Sequence, residues 1–499
     1  MVNYLDELET TMNGDGNVAF TENGAVAFAS TNSSVLDFFA NGGALRSRDE
    51  SSIVNVFEKA YAENPLLATK AMFYFRDIRG GQGERRTFRI LLNHLAVNRP
   101  EVVRANLPLI AEYGRWDDLY SLIDTDLEED MFTVIDVQLA EDMNSDNPSL
   151  LAKWLASENA SSSTTKRYGR KTRQALNMSP RQYRKTLSAI RSKIGLVEQT
   201  ISENNWSEIQ YDKLPSKAGL QYRKAFYRHD AERYAHFLEE VKSGTKTINA
   251  GTLYPYEIVE KCGGYGYGRG KSADDASLDA MWNALPNYFG DNEVRGLVVA
   301  DVSGSMSGRP MDVSISLAIY TAERNSGPFA GKFITFSARP TLQTVEGSDI
   351  AEKVRNLSRA AWDMNTDIEA VFNLILKTAQ KTGASQDELP THLYIVSDME
   401  FDAATGDGWH SRGNVDERLF QTIERRYTEA GYKMPFLVFW NVDSRNDQQP
   451  MSMDQRGFQL VSGCSPSIFT SLLSNKATSA YDLMLEVLNQ ERYAAIRAE

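Results

Sequence analysis

Two rhythms of apolar and polar positions divide this chain. From residue 34 to about 289, apolar residues recur three and four apart in short runs broken by polar turns. That spacing puts the apolar side chains of each run on one helix face. Ser34 is placed to cap a first helix carrying Leu36, Phe38 and Phe39, which Asn41-Gly42-Gly43 would stop. Further helices are expected over 52–61, 66–75, 88–96, 102–113, 117–123, 130–143 and 150–155, with Pro65 in a first turn, where its missing N–H costs nothing. No strand signal falls between them. The series reads as stacked helical hairpins, a HEAT-like α-solenoid, although no strict period is visible. Residues 1–34 are polar and read as an extended arm, of which Val26 and Phe28 require cover.

From Gly296 the rhythm changes. Continuous apolar runs at 297–300, 332–336, 392–397, 436–441 and 458–461 read as buried strands. Helical stretches at 311–324, 368–379, 415–430, 467–473 and 480–488 fall among them, and 342–345 reads as a short antiparallel edge strand. Strands alternating with helices predict a doubly wound, mainly parallel sheet. The fold class expected is therefore α plus α/β, with a helical domain over 1–290 and an α/β domain over 291–499. The Gly/Tyr-rich stretch 263–275 reads as a flexible loop near the boundary.

Composition excludes several classes. No apolar run approaches a membrane span, and the acidic N-terminus lacks a signal-peptide core. The two cysteines, Cys262 and Cys464, lie far apart without metal-site spacing. The expected location is the cytoplasm. The net charge of −13 argues against a globally basic nucleic-acid binder. It conceals an asymmetry, because residues 161–197 contain no acid and ten cations. Lys166, Arg167, Arg170, Lys171, Arg173, Arg181, Arg184, Lys185 and Arg191 are the candidate phosphate contacts in that stretch. Arg181, Arg184, Lys185 and Arg191 fall on related turns of one helix, with Tyr183, Leu187 and Ile190 on another face.

Two other stretches invite a functional reading. The loop Arg76-Asp77-Ile78-Arg79-Gly80-Gly81-Gln82-Gly83-Glu84 could present N–H groups to an anion. No Walker Lys-Ser pair follows, so a braced inter-helix turn is the simpler reading. At Ala300-Asp301-Val302-Ser303-Gly304-Ser305, a buried strand ends in an acid and two hydroxyls. Thr366 lies just before a helix, and Asp398 ends the strand at 392–397. Asp301, Ser303, Ser305, Thr366 and Asp398 are all hard oxygen donors on loops at one sheet edge. They suit a divalent cation, Mg2+ first, with Mn2+ or Ca2+ as alternatives. The cluster holds no evident general base, although Glu400 is close in sequence, so a non-enzymatic role is expected.

The pattern Asp301-x-Ser303-x-Ser305 with Thr366 and Asp398 resembles the metal-ion-dependent adhesion site (MIDAS) of von Willebrand factor A (vWA) domains. Upstream, Leu45-Arg46, the 73–85 stretch, Tyr113-Gly114-Arg115-Trp116-Asp117-Asp118-Leu119 and Lys213-Leu214-Pro215-Ser216-Lys217-Ala218 resemble the TROVE module of Ro-type ribonucleoproteins. They are more similar still to TROVE-like proteins of plants and viruses. The resemblance implies a ring of helical repeats closed by a vWA domain. It implies binding of small structured or single-stranded RNA on a basic surface, with a protein partner at the metal site as the alternative role. The acidic net charge and the loop at 263–270 depart from that family's pattern.

Overall fold

The computed structural model describes residues 17–24, 26–263, 275–290, 295–325, 327–335, 340–358, 368–401, 419–453, 455–473 and 479–499. Thr366 and most of the 263–275 loop lie outside the described residues. The chain forms two compact units whose ends are exchanged relative to a simple N- and C-terminal division. One contains Met1–Arg48, Tyr254–Asp275 and Asn287–Val487; the other contains Asp49–Leu253, Ala276–Pro286 and Leu488–Glu499. No described helix is long and apolar enough to cross a membrane.

The second unit is helical. Asn64 caps the helix Pro65–Arg76 by accepting the Leu67 N–H, with Pro65 in the first turn. Its last residue, Arg76, is buried and donates to Asp118 at 2.7 Å, and Arg89 reaches the other oxygen of Asp118 at 2.6 Å. Removing Asp118 from so dry a pair would strand a buried cation, at a cost of about 3–5 kcal/mol. The glycine-rich loop after Arg76 is a braced turn. The N–H groups of Gln82, Gly83 and Glu84 are taken by the carbonyls of Tyr74, Asp77 and Phe75. A Cβ on Gly81 would lie 1.9 Å from the Tyr74 carbonyl oxygen, so only glycine fits. The brace comes from far along the chain. Asp77 accepts from Arg492 and Tyr493, and Asn106 accepts the Arg497 N–H.

The first unit is built on an open six-stranded sheet: β3 (Gly296–Ala300), β4 (Lys332–Thr335), β5 (Thr341–Thr344), β6 (His392–Ser397), β7 (Phe436–Asn441) and β8 (Phe458–Ser462), in the order β5-β4-β3-β6-β7-β8. β5 is an antiparallel edge and the other pairs are parallel. Every residue of β3 and β8 is buried, as expected where both faces are covered. The helix Arg309–Arg324 is buried from Met311 through Ala322, the polar residues Asp312, Ser314, Ser316 and Thr321 included. Its neighbours include β3, β4, β6 and the helix Pro255–Lys261.

The N-terminal arm is more ordered than its composition predicts. β1 (Val18–Phe20) and β2 (Val26–Phe28) form an antiparallel hairpin, its turn closed by Gly24 at φ +85° donating to Thr21. Phe28 exchanges two backbone hydrogen bonds with Gln449, and its side chain is buried. Ser33 rather than Ser34 caps the next helix, Ser34–Gly42, by accepting the Leu36 N–H.

Candidate functional site

The sheet order sets the position of the first site. The chain steps from β3 outward to β4 and β5, then returns to place β6 on the other side of β3. In open α/β sheets, ligands bind outside the carboxyl ends of strands where the order reverses in this way. Here the register pairs Ala300 with Val396, so Asp301 leaves β3 level with Ser397, and Asp398 follows. The Asp301 N–H donates to the Val396 carbonyl, continuing the ladder by one residue.

Both carboxylates are buried, Asp301 fully and Asp398 to 2 % exposure. The Ser303 N–H donates to Asp301 Oδ1 at 2.9 Å. The Ser397 hydroxyl donates to Asp301 Oδ2 at 2.6 Å and lies 3.5 Å from Asp398 Oδ1. The Ser303 and Ser305 hydroxyls touch at 2.9 Å, with Ser305 exposed at the mouth. Burial, and after it the negative charge of Asp398, pushes the Asp301 carboxyl up to about 6 against the opposing hydrogen bonds from Ser397 and Ser303. Met399, the residue after Asp398, is held at φ +67°, a costly conformation for a side chain with a Cβ. Its N–H donates to the Ser397 hydroxyl.

The structure therefore brings Asp301, Ser303, Ser305 and Asp398 to one edge. They are two buried carboxylates and, towards the opening, two hydroxyls, oxygen donors of the chemical kind that hard cations take. Among the described residues no three His, Cys, Asp or Glu side chains gather as a metal cluster, so hydroxyls would have to complete the ligand set.

Three residues of this edge escaped sequence reasoning. Ser397 was legible in principle as the last residue of a strand. Arg445 was not, because only the β6–β7 register brings the loop after β7 to Asp398. Its Nη2 lies 2.9 Å from Asp398 Oδ2, and its Nη1 lies 3.1 Å from Glu22. Glu22 belongs to the arm. Glu400 is fixed in place: it accepts from Asn446 and Gln448 on one oxygen and from the Glu22 N–H on the other. The Glu22 N–H ties the arm to the loop after β6, and Asn446 and Gln448 tie the loop after β7 to it.

The second candidate, the basic stretch, lies in the helical unit. Ser162 caps the first basic helix, Ser163–Ala175; Ser179 and Gln182 form a capping box on the second, Pro180–Ile194. Tyr183, Leu187 and Ile190 are buried as their spacing predicts, and the Tyr183 hydroxyl donates to the Ala156 carbonyl at 2.9 Å.

Four of the nine candidate contacts are committed internally. Arg167 pairs with Asp124, and Lys171 pairs with Asp124 at 2.9 Å and with Glu128 at 2.7 Å. The Asp124 carboxyl is held below its ordinary range by those two cations. Arg173 donates to Glu158 at 2.8 Å. Arg191 does not share the exposed face with Arg181, Arg184 and Lys185. It is half-buried beside Ile190 and donates to the carbonyls of Ala152 and Leu155. The acids come from before the acid-free stretch, so counting within it could not reveal them. Lys166, Arg170, Arg181, Arg184 and Lys185 are exposed, with no ion-pair partner among the described residues.

A family model described as a domain of unknown function (DUF2828) matches residues 21–148 and 142–285, and a second domain of unknown function (DUF7788) matches residues 295–496. The first spans more than half of the chain, and the chain belongs to the DUF2828 family. An uncharacterised protein of Acanthamoeba polyphaga mimivirus is 28% identical over 514 residues, covering 95% of this chain and 87% of that protein.

Proposed function

We propose that this chain is a non-catalytic RNA-binding scaffold with a divalent-cation site in its sheet-containing unit. The observation that carries the RNA reading is a set of five exposed cations on two consecutive helices that have no ion-pair partner among the described residues: Lys166, Arg170, Arg181, Arg184 and Lys185. An ordinary solvated helix mixes both signs, whereas this surface keeps one sign after its internal pairs are satisfied. The surrounding negative charge of the chain limits non-specific attachment to other polyanions. Small structured or single-stranded RNA is the ligand class, in keeping with the resemblance to Ro-type ribonucleoproteins and a helical-repeat scaffold of HEAT-like hairpins. Fluorescence anisotropy with a short unstructured RNA tests it. Micromolar or tighter binding that weakens steeply with salt is expected, and absent or salt-insensitive binding contradicts it.

The assembled edge at Asp301 and Asp398 supports a second role for the sheet-containing unit. Two buried carboxylates held side by side favour a cation, Mg2+ by the hardness of its oxygen ligands. A cation that keeps one open position takes a carboxylate from a protein partner. A partner retained in Mg2+ and released by chelation or by Asp301→Ala supports that role. A substitution that changes only thermal stability assigns the cation a structural task.

A further inference from the structure

Asp398 already has a positive partner. The Arg445 guanidinium sits 2.9 Å from its Oδ2, and the carboxylate is almost completely buried. The same guanidinium extends its other terminal nitrogen to Glu22 at 3.1 Å. Arg445 thus stands between the sheet edge and the arm, holding one carboxylate from each.

Charge at this edge is unbalanced. Asp301 and Asp398 bring two negative charges, and the arginine brings one positive charge that it shares with Glu22. A buried pair of like charges is tolerated only when something neutralises it. A divalent cation at Asp301, Ser303, Ser305 and Asp398 would bring two positive charges and repel the guanidinium. Arg445 has somewhere to go. Glu22 is half-exposed and Arg445 itself is 30% exposed, so leaving Asp398 costs it neither its last carboxylate nor its access to water. Its Nε is buried with no acceptor among the described residues, so the present seat does not satisfy all of its donors.

We propose that Arg445 is a built-in competitor of the cation: it neutralises Asp398 when no divalent ion is bound and moves to Glu22 when one is. This rests on the cation reading of the Asp301–Asp398 edge. The guanidinium then sets the cation affinity, keeping it weaker than the ligand set alone would allow. It also ties cation occupancy to the arm, since its remaining partner is an arm residue.

The alternative is that Arg445 orients Asp398 for the cation, as an outer partner of a ligand does. The two accounts predict opposite signs. Mg2+ is titrated calorimetrically into the full-length protein and into Arg445→Gln at constant ionic strength. Competition predicts a Kd about tenfold lower in the variant, one unit of positive charge having been removed from beside the site. A higher or unchanged Kd overturns the proposal while leaving the cation site standing. Absence of Mg2+ binding by both proteins overturns the cation reading itself, and the proposal with it.

A measurement on the unmodified protein covers the case in which the variant does not fold. Phenylglyoxal labelling of Arg445, read by mass spectrometry, should accelerate severalfold when Mg2+ is added, with Arg497 as an internal reference. Equal labelling of Arg445 with and without Mg2+ overturns the proposal.

Discussion

The sheet edge and the basic helices treat charge in opposite ways. At the edge, two carboxylates of like sign are buried together and Asp301 is pushed up to about 6. On the helices, a run of ten cations that looks uniform in sequence is partly neutralised by Asp124, Glu128 and Glu158 from outside the run. Opposite charges at a surface are the ordinary outcome of folding and reveal little about function. Like charges held in a dry place are not, because folding alone would separate them. The edge is therefore the more informative feature, although the basic stretch is the more conspicuous one in the sequence. What remains of the basic stretch after pairing carries the RNA reading.

The largest effects are expected at the edge, where two substitutions should diverge. Asp398→Ala takes from Arg445 its buried carboxylate but leaves it Glu22 and water, so it should cost about 1 kcal/mol as well as abolish Mg2+ binding. Asp301→Asn should also abolish Mg2+ binding, yet raise cation-free stability by about 1–3 kcal/mol by removing one of two mutually repelling charges. The amide can still accept from the Ser303 N–H and donate to the Ser397 hydroxyl. Melting curves in chelator read both signs. Equal destabilisation by the two substitutions would break the comparison, because the edge would then be an ordinary polar network.

The next effect depends on pH. His392 begins β6, half-buried and stacked with Tyr394, and desolvation lowers its imidazole to about 4. Its folded-state value lies below the unfolded one, so the penalty is absent above the unfolded value. The penalty grows as pH falls from about 6.5 to about 4, reaching roughly 3 kcal/mol. His392→Phe keeps a ring in the stack and removes the titration. Its denaturation midpoint should fall less than wild type across that window. Parallel acid profiles would exclude His392 as the source.

The smallest effect belongs to the surface pairs. Asp124→Asn frees Arg167 and Lys171, although Lys171 retains Glu128. Exposed pairs of this kind contribute little, and the melting temperature should move by no more than about 2 °C. RNA affinity should rise, and the salt slope should steepen by about one. Weaker RNA binding would mean that Asp124 organises the surface rather than quenching it.

These contrasts also show what was legible in the sequence. The strands at 392–397 and 436–441 were visible, because a strand buried on both faces leaves an uninterrupted apolar run. Tyr183, Leu187 and Ile190 were visible because helical spacing alone marks a buried face. Asp301 and Asp398 were visible because each ends such a strand. Arg445 and Glu22 were not, since their meeting with Asp398 depends on register and on an arm whose polar composition hid a hairpin. Arg191 was misplaced because a charged side chain beside a buried face can turn inward to carbonyls, which periodicity does not report. The exchange of chain ends is carried by Asp77 with Arg492 and by Asn106 with Arg497, pairs 415 and 391 residues apart.

One measurement bears most directly on the division between free and committed cations. Two variant sets are compared with wild type in RNA binding at varied salt. The first neutralises Lys166, Arg170, Arg181, Arg184 and Lys185; the second neutralises Arg167, Lys171, Arg173 and Arg191. Wild type should show a slope of log affinity against log salt of about −3.5, for five contacts to a single strand. The first set should flatten that slope towards zero with little change in melting temperature. The second should keep the slope and lower the melting temperature. Equal slopes in the two sets, or a flat slope in the wild type, would contradict the account.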